Sequence, residues 1–408
     1  MKNKYKAFVN SYVNFEFLNR EGAAVLKIDH EHIDLFRIWM KSKKTTINVT
    51  YLYPILKFFI PFFILSYFFY KSGYYLWKTL VSKKVDCINR RIFINSHLGF
   101  TSAIKKNLFT ENDVMLMFPY STANVSDNLK IYIHQLLTCR TVFKTIKYCF
   151  FCSSLFITKY GFSSSFYLFT AYDFYLLYNV LANIDVDTEI VMSNQKDRWS
   201  MLLDYLPHSH KTIIQHGTNF MYSLPTPQCI PFFKFDSFYE CYYIDMPYKL
   251  SSISKVYAFT EKEFYFMHKG EYINNPEVIY IGYSLSLTDF GDSENAILIV
   301  GNSDLYSKEE RILMDIFSQT ILHVYIKSHP TISAAVYDSY LVYDNVTVLD
   351  KETYPRVSIV FSYNSTLALE YEDLGIKVVY YNSILGCDGE ISYVKVENVI
   401  NELLISLN

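Results

Sequence analysis

The sequence predicts an α/β protein of two domains, each built around a parallel sheet. Three observations lead to this. The strand candidates are continuous apolar runs rather than alternating ones, as strands buried on both faces of a parallel sheet require. Longer helical patterns separate several of them. The chain has 408 residues, more than one core usually organises.

Residues 1–50 are mixed and polar and suggest no definite element. From Tyr51 to Trp77 the chain reads YLYPILKFFIPFFILSYFFYKSGYYLW, with Lys57 and Lys71 its only charges. The apolar run between them is shorter than the ~20 residues of a spanning helix, and Pro54 and Pro61 are expected to break it. A buried helix, an element lying on a membrane surface, and a true span are the three readings. Lys41, Lys43, Lys44, Lys78, Lys83 and Lys84 flank the segment. With its Tyr and Trp content, these favour association with an anionic membrane surface, expected to be the inner face of the cytoplasmic membrane.

Strands are then expected at 91–97, 114–119, 166–171, 189–194, 211–217, 255–260 and 278–283. A second series is expected at 296–302, 323–330, 346–350, 357–365 and 377–382, with helices at 308–319 and 365–375. Ser284–Asn295 (SLSLTDFGDSEN) has no periodicity and reads as a linker. This gives an N-terminal domain over 1–289, containing the hydrophobic segment 51–77, and a C-terminal domain over 290–408.

Composition narrows the function classes. A formal net charge of −2 gives no field for nucleic acid. Seven cysteines at irregular spacing, behind an N-terminus with no apolar signal stretch, are expected to be reduced thiols in the cytoplasm. Cys149 and Cys152 form a lone C-x-x-C with no second pair or histidines at zinc spacing, so they read as structural. No G-x-G-x-x-G occurs, which disfavours a dinucleotide enzyme. Asp185-Val-Asp187 precedes a strand, where a metal-binding Asp-x-Asp of a sugar transferase would follow one.

Ligands of open parallel sheets bind at the carboxyl ends of the strands. Polar residues stand there repeatedly: His97-Leu-Gly99, Asn194, Gln215-His216-Gly217, His329-Pro330, and Ser362, Asn364, Ser365 and Thr366. At the last of these a helix is expected to start near Ser365. Its free N–H groups and the hydroxyls suit an anion, and Glu370, one turn in, suits a ribose. The same residues also suit a plain helix cap, by Asn364 or Ser365. Each histidine alone reads as a strand end bonded to backbone; with the hydroxyl cluster they read as one site. Gly217 is expected to leave room for a close approach.

KTIIQHGT (Lys211–Thr218), YIKSHP (Tyr325–Pro330) and SYNSTLALEYEDLGIKVVYY (Ser362–Tyr381) resemble GT-B glycosyltransferases of the bacterial cell-surface class. The similar groups are the capsular polysialyltransferases and sialyltransferase-like enzymes, and the teichoic-acid glycerophosphotransferases. The likeness runs from about residue 186 to 385. It implies two Rossmann-like domains whose parallel sheets face each other across a cleft. It further implies a nucleotide-sugar donor held without metal, a glycan or glycolipid acceptor, and inversion at the anomeric carbon.

Carried over by residue, the resemblance makes His329 the group on the donor phosphate and Ser365 and Thr366 its hydroxyl ligands. Glu370 meets the ribose. His216 matches the His-Gly histidine on the other wall of the cleft. Outside this carry-over, Ser362 and Lys327 are expected on the donor side, and Gly217, Asn194 and His97 on the acceptor side. The family's acidic-Asp-Gly triplet is missing, so the general base is open between His216, Asp197 and Asp173. The donor expected is a CMP-linked sialic-acid-like or Kdo-like sugar. Two alternatives stay open: a CDP-glycerol or CDP-ribitol phosphotransferase, and a non-catalytic polysaccharide-assembly protein on the same scaffold.

Overall fold

The computed structural model describes residues 2–26, 49–85, 91–94, 107–119, 125–193, 196, 198–215, 217–222, 224, 227–283, 285–301, 308–329, 334–350, 352–363, 365–384 and 392–406. The chain forms two compact units. Unit 1 comprises Met1–Asn219, Gln228–Lys234 and Tyr243–Ile281; unit 2 comprises Phe220–Pro227, Phe235–Tyr242 and Gly282–Asn408.

Fifteen strands lie among the described residues. Unit 1 holds β1 (Ile92–Ile94), β2 (Val114–Met117), β3 (Lys130–Tyr132), β4 (Ile190–Met192) and β5 (Lys211–Ile214). After β6 (Phe220–Met221), β7 (Phe233–Asp236) and β8 (Cys241–Ile244), a small sheet of order β6-β8-β7, come β9 (Lys255–Ala258) and β10 (Glu277–Tyr280). The main sheet of unit 1 has the order β10-β9-β5-β4-β1-β2-β3 and every pairing in it is parallel.

Both faces of this sheet are covered, which explains the unalternating strands. Ile92, Ile94, Val114, Leu116, Ile190, Met192 and Ile213 point into one core. Phe93, Met115, Met117, Val191 and Ile214 point into another on the opposite face. The first core is completed by helices α1 (Lys2–Leu26), α2 (Val49–Val81), α3 (Cys139–Tyr160), α4 (Ala171–Leu181) and α5 (Arg198–Asp204). A sixth helix, α6 (Glu261–Glu271), follows β9.

Part of the high aromatic content is used here. Phe8 of α1 lies within 5.2–5.7 Å of the rings of Phe156, Tyr167, Phe174 and Tyr175. Thr138 starts α3 by accepting the Thr141 N–H at 3.1 Å, and Gly161, at φ 78, ends it in a conformation few other residues take. Cys149 and Cys152 sit one turn apart on the buried side of α3 as free thiols, and burial pushes both thiols up.

Unit 2 contains β11 (Ala296–Val300), β12 (His323–Lys327), β13 (Val346–Val348), β14 (Ile359–Ser362) and β15 (Lys377–Tyr380). Its helices are α7 (Lys308–Phe317), α8 (Thr366–Asp373) and α9 (Tyr393–Ser406). The sheet has the order β13-β12-β11-β14-β15, again parallel throughout. Ile297, Ile299, Val324, Ile326, Ile359 and Phe361 face one core; Ala296, Leu298, Val300, Tyr325 and Val360 face the other.

The structure corrects the sequence reading at five places. The N-terminal segment read as undefined begins with the long α1, which contributes Ala7, Phe8 and Tyr12 to the main core. The expected strand at 166–171 is a 3-10 helix, Phe162–Thr170, running into α4. Its aromatics pack on α1, and that contact outweighs their strand preference, which is itself a preference for half-buried surfaces. Asp173 therefore lies in the first turn of α4 and not at a strand end; its carboxylate bridges Lys71 Nζ at 3.1 and 3.2 Å.

The prolines do not break the hydrophobic segment either. Helix α2 runs through Pro54 and Pro61, its buried side held by Ile60, Ile64, Phe68 and Tyr75. Among the described residues no helix is long and apolar enough to cross a membrane. Last, the stretch read as a linker is folded onto unit 2. Thr288 bridges Pro355, Leu285 and Leu287 pack on a core of the unit, and Asp292 accepts the Tyr325 hydroxyl at 2.9 and 3.0 Å.

Candidate functional site

Chain order locates the crevice. In unit 2 the chain steps outward from β11 to β12 and β13, then crosses back to β14 and β15. The switch point is between β11 and β14. There the connections leave in opposite directions, and it is at such a point that open parallel sheets bind their ligands.

The strand β11 runs directly into Gly301, whose N–H donates to Lys327 O at 2.9 Å. Gly301 has no room for a side chain. A Cβ there would clash with the Tyr337 hydroxyl and stand 3.4 Å from Lys327 O and 3.5 Å from His329 N. Tyr337 Oη in turn donates to Glu310 Oε2 at 2.9 Å, and both residues are buried. Gly301, the backbone of His329 and the Tyr337–Glu310 pair are thus packed together at the carboxyl end of β11.

On the β14 side, Ser365 caps α8. Its Oγ accepts the Ala368 N–H at 3.1 Å and lies 3.1 Å from Ser362 Oγ. Ser362 is buried and Ser365 half-buried, so Ser362 supports and Ser365 presents. An N-cap hydroxyl accepts with one lone pair and can still donate its own O–H. Beside it, the N–H groups of the first turn of α8 have no partner within the helix and carry its positive dipole end. Thr366 begins the helix, and Glu370 lies one turn further in, half-buried. His329 is half-buried just past β12.

Lys327 is placed differently from the donor-side role expected of it. Its Nζ donates to Asp350 O at 2.5 Å and Thr353 O at 2.8 Å, and lies 4.2 Å from the centre of the Tyr354 ring. It ties the end of β12 to the segment after β13.

In unit 1 the switch point falls between β1 and β4. His97 and Asn194 follow these two strands, three and two residues past their ends; with Asp197 and His216 they lie outside the described residues. The expected pairing of His216 with His329 therefore also rests on an undescribed residue. What surrounds His216 in sequence is well tied. Buried Gln215 donates from Nε2 to Gly217 O at 2.8 Å and accepts the Phe259 N–H at 2.8 Å. Four residues on, Glu263 Oε2 accepts the Asn219 N–H at 2.9 Å. Gly217 is half-buried, and a Cβ on it would meet nothing within 4 Å among the described residues.

A second buried carboxylate of unit 1 is Glu271. Lys196 Nζ stands 3.6 Å from its Oε1, but burial outweighs the ammonium and pushes the carboxyl up to about 7. Asp185 and Asp187 sit in the exposed turn before β4, where the Asp187 N–H donates to Asp185 Oδ1 at 3.1 Å. Among the described residues no group of His, Cys, Asp and Glu is arranged to hold a metal ion.

Sequence reasoning missed Gly301, Glu310, Tyr337 and Glu263. Gly301 had a usable signal, since AILIVG is a buried strand ending on glycine. Glu310 and Glu263 look like ordinary charged helix residues, and only the fold buries them. No family model matches this chain, and no curated protein matches it.

Proposed function

We propose that this chain is a GT-B glycosyltransferase that binds a nucleotide sugar on unit 2 and moves the sugar to a glycan or glycolipid acceptor carried by unit 1. The observation that carries the reading is the convergence at the β11/β14 switch point of a side-chain-free strand end (Gly301), a capped helix start (Ser365, Thr366) and His329. A glycine strand end, free helix N–H groups and a hydroxyl are what a nucleotide phosphate needs.

The chemistry follows from the charges. As the bond between the anomeric carbon and the phosphate oxygen breaks, negative charge grows on the leaving phosphate. The Ser365 hydroxyl and the α8 N–H groups stabilise it, and His329 donates to it. The acceptor oxygen attacks the anomeric carbon from the opposite face. Its proton passes to a base of unit 1, for which His216 and Asp197 are the candidates. The resemblance of the His-Pro and Ser/Thr stretches favours a CMP-linked sialic-acid-like or Kdo-like sugar.

A thermal-shift series with CMP, CDP, UDP and GDP tests the reading. A nucleotide at a hundred times its Kd adds about 2.7 kcal/mol of stability, so the cognate one raises Tm visibly. CMP is expected to do so. A response to CDP with turnover of CDP-glycerol would assign the phosphotransferase chemistry instead. No response to any of the four would remove the enzyme reading in favour of an assembly scaffold.

A further inference from the structure

We propose that the outer faces of α2 and α3 form a docking surface for an anionic lipid bilayer. Helix α2 is apolar on both sides, where a surface helix of a water-soluble domain is apolar on one. Its inner side, Ile60, Ile64, Phe68, Ser72, Tyr75 and Thr79, recurs every three or four residues and is buried. Its outer side is just as apolar. Phe62 is 63 %, Tyr70 69 % and Leu80 75 % exposed, and Phe59, Phe63 and Trp77 are exposed with them. Adjoining exposed apolar side chains of this kind mark interaction sites.

The adjoining helix supplies the charge. The Phe69 ring meets Phe150 of α3 at 5.5 Å, and Lys84, just past α2, donates to Leu137 O, just before α3, at 2.8 Å. The two helices therefore run antiparallel, side by side. The outer stripe of α3 mixes Phe143, Phe151 and Leu155 with Arg140, Lys144 and Lys147, all exposed. Neither helix contains an Asp or Glu. At the basic end, Lys78 Nζ rests 4.9 Å from the Trp77 ring.

Charge complementarity selects the occupant. The chain is net −2, yet neither helix holds an acid, and Lys78, Arg140, Lys144, Lys147 and Lys159 remain as basic residues beside Lys71, which Asp173 neutralises. Aromatic side chains beside a one-signed basic stripe match the boundary between anionic headgroups and acyl chains. A protein partner would have to supply an apolar face rimmed with acid. A second copy would bring lysine against lysine.

Flotation of the full chain with vesicles tests this without any nucleotide, so its outcome is independent of the proposed transfer reaction. The wild type is expected to float with phosphatidylglycerol-containing vesicles and to bind pure phosphatidylcholine at least tenfold more weakly. A juxtamembrane basic residue contributes ~1 kcal/mol, a factor of about five, so Lys144→Ala with Lys147→Ala is expected to weaken binding about 25-fold. Phe62→Ser with Tyr70→Ser changes only exposed positions, leaves the melting curve in place, and is expected to weaken binding at least tenfold. Wild type that stays unbound, or variants that float like wild type, would overturn the proposal. So would a wild-type dimer that Phe62→Ser with Tyr70→Ser makes monomeric while no form of the protein floats.

Discussion

The hydroxyl of Tyr337 stands too close to Gly301 for a Cβ to fit there, and that hydroxyl is held by the buried carboxylate of Glu310 at 2.9 Å. The end of β11 is thereby kept without a side chain at the switch point of its sheet.

Gly301→Ala is expected to destabilise the protein by about 1–3 kcal/mol through this clash. Tyr337→Phe removes the obstructing oxygen but leaves Glu310 short of a donor, so it also destabilises when made alone. The double variant is expected to lose at least ~1 kcal/mol less than the two single losses added together, since the residues are in contact. Urea denaturation of the four proteins measures the coupling; strict additivity would show that Gly301 is not confined by Tyr337.

Ser365 separates a cap from a ligand. Ser365→Ala is expected to cost about 1 kcal/mol of stability and to weaken nucleotide binding. Ser365→Asp keeps an equally good cap but sets a negative charge where the phosphate is proposed to lie. Its melting temperature is expected to stay near wild type while nucleotide affinity falls at least tenfold, roughly 1.4 kcal/mol. Unchanged affinity in Ser365→Asp would leave Ser365 as a cap alone.

His329→Ala is expected to lower kcat by about 10²–10³, the effect of removing one preorganised donor from a developing anion. Nucleotide affinity and melting temperature are expected to change little, because His329 is half-buried and lies beyond the strand. Retained turnover would remove its role toward the leaving group.

Glu271 provides a pH signature. Its carboxyl is raised from the usual 4.5 to about 7 by burial. A carboxyl raised on folding contributes stability that is fully present below the unfolded value and is lost as pH rises through the folded one. At ~1.4 kcal/mol per pH unit, the loss between pH 4.5 and about 7 is on the order of 3 kcal/mol. Glu271→Gln stays neutral, so wild type minus variant should fall across that window and be flat above it. Chemical denaturation at a series of pH values measures this; a difference that is flat throughout would contradict the burial effect.

Much of this architecture was legible in the sequence, because a buried parallel strand is a short continuous apolar run. AILIV, HVYIK and KTII show it, and the polar residues behind such runs mark the carboxyl edge. Three kinds of feature were not legible. Aromatic segments such as Phe162–Thr170 fit a helical turn against α1 as well as they fit a strand. The short strands β3, β6, β7 and β8 alternate or are too brief to show a period. Polar side chains whose role depends on long-range partners, such as Lys327 on Asp350 O or Glu263 on Asn219, carry no local signal. Topology also sharpened the site, since only the strand order shows that β11 and β14 flank the switch point.

The most direct test of the central claim is hydrogen exchange of the full chain with and without saturating nucleotide, read peptide by peptide. Protection is expected in the peptides that contain Gly301, His329 and the Ser365–Ala368 turn, the carboxyl ends of β11, β12 and β14. Protection confined to the opposite edge of that sheet, or to unit 1 alone, would contradict the placement of the donor.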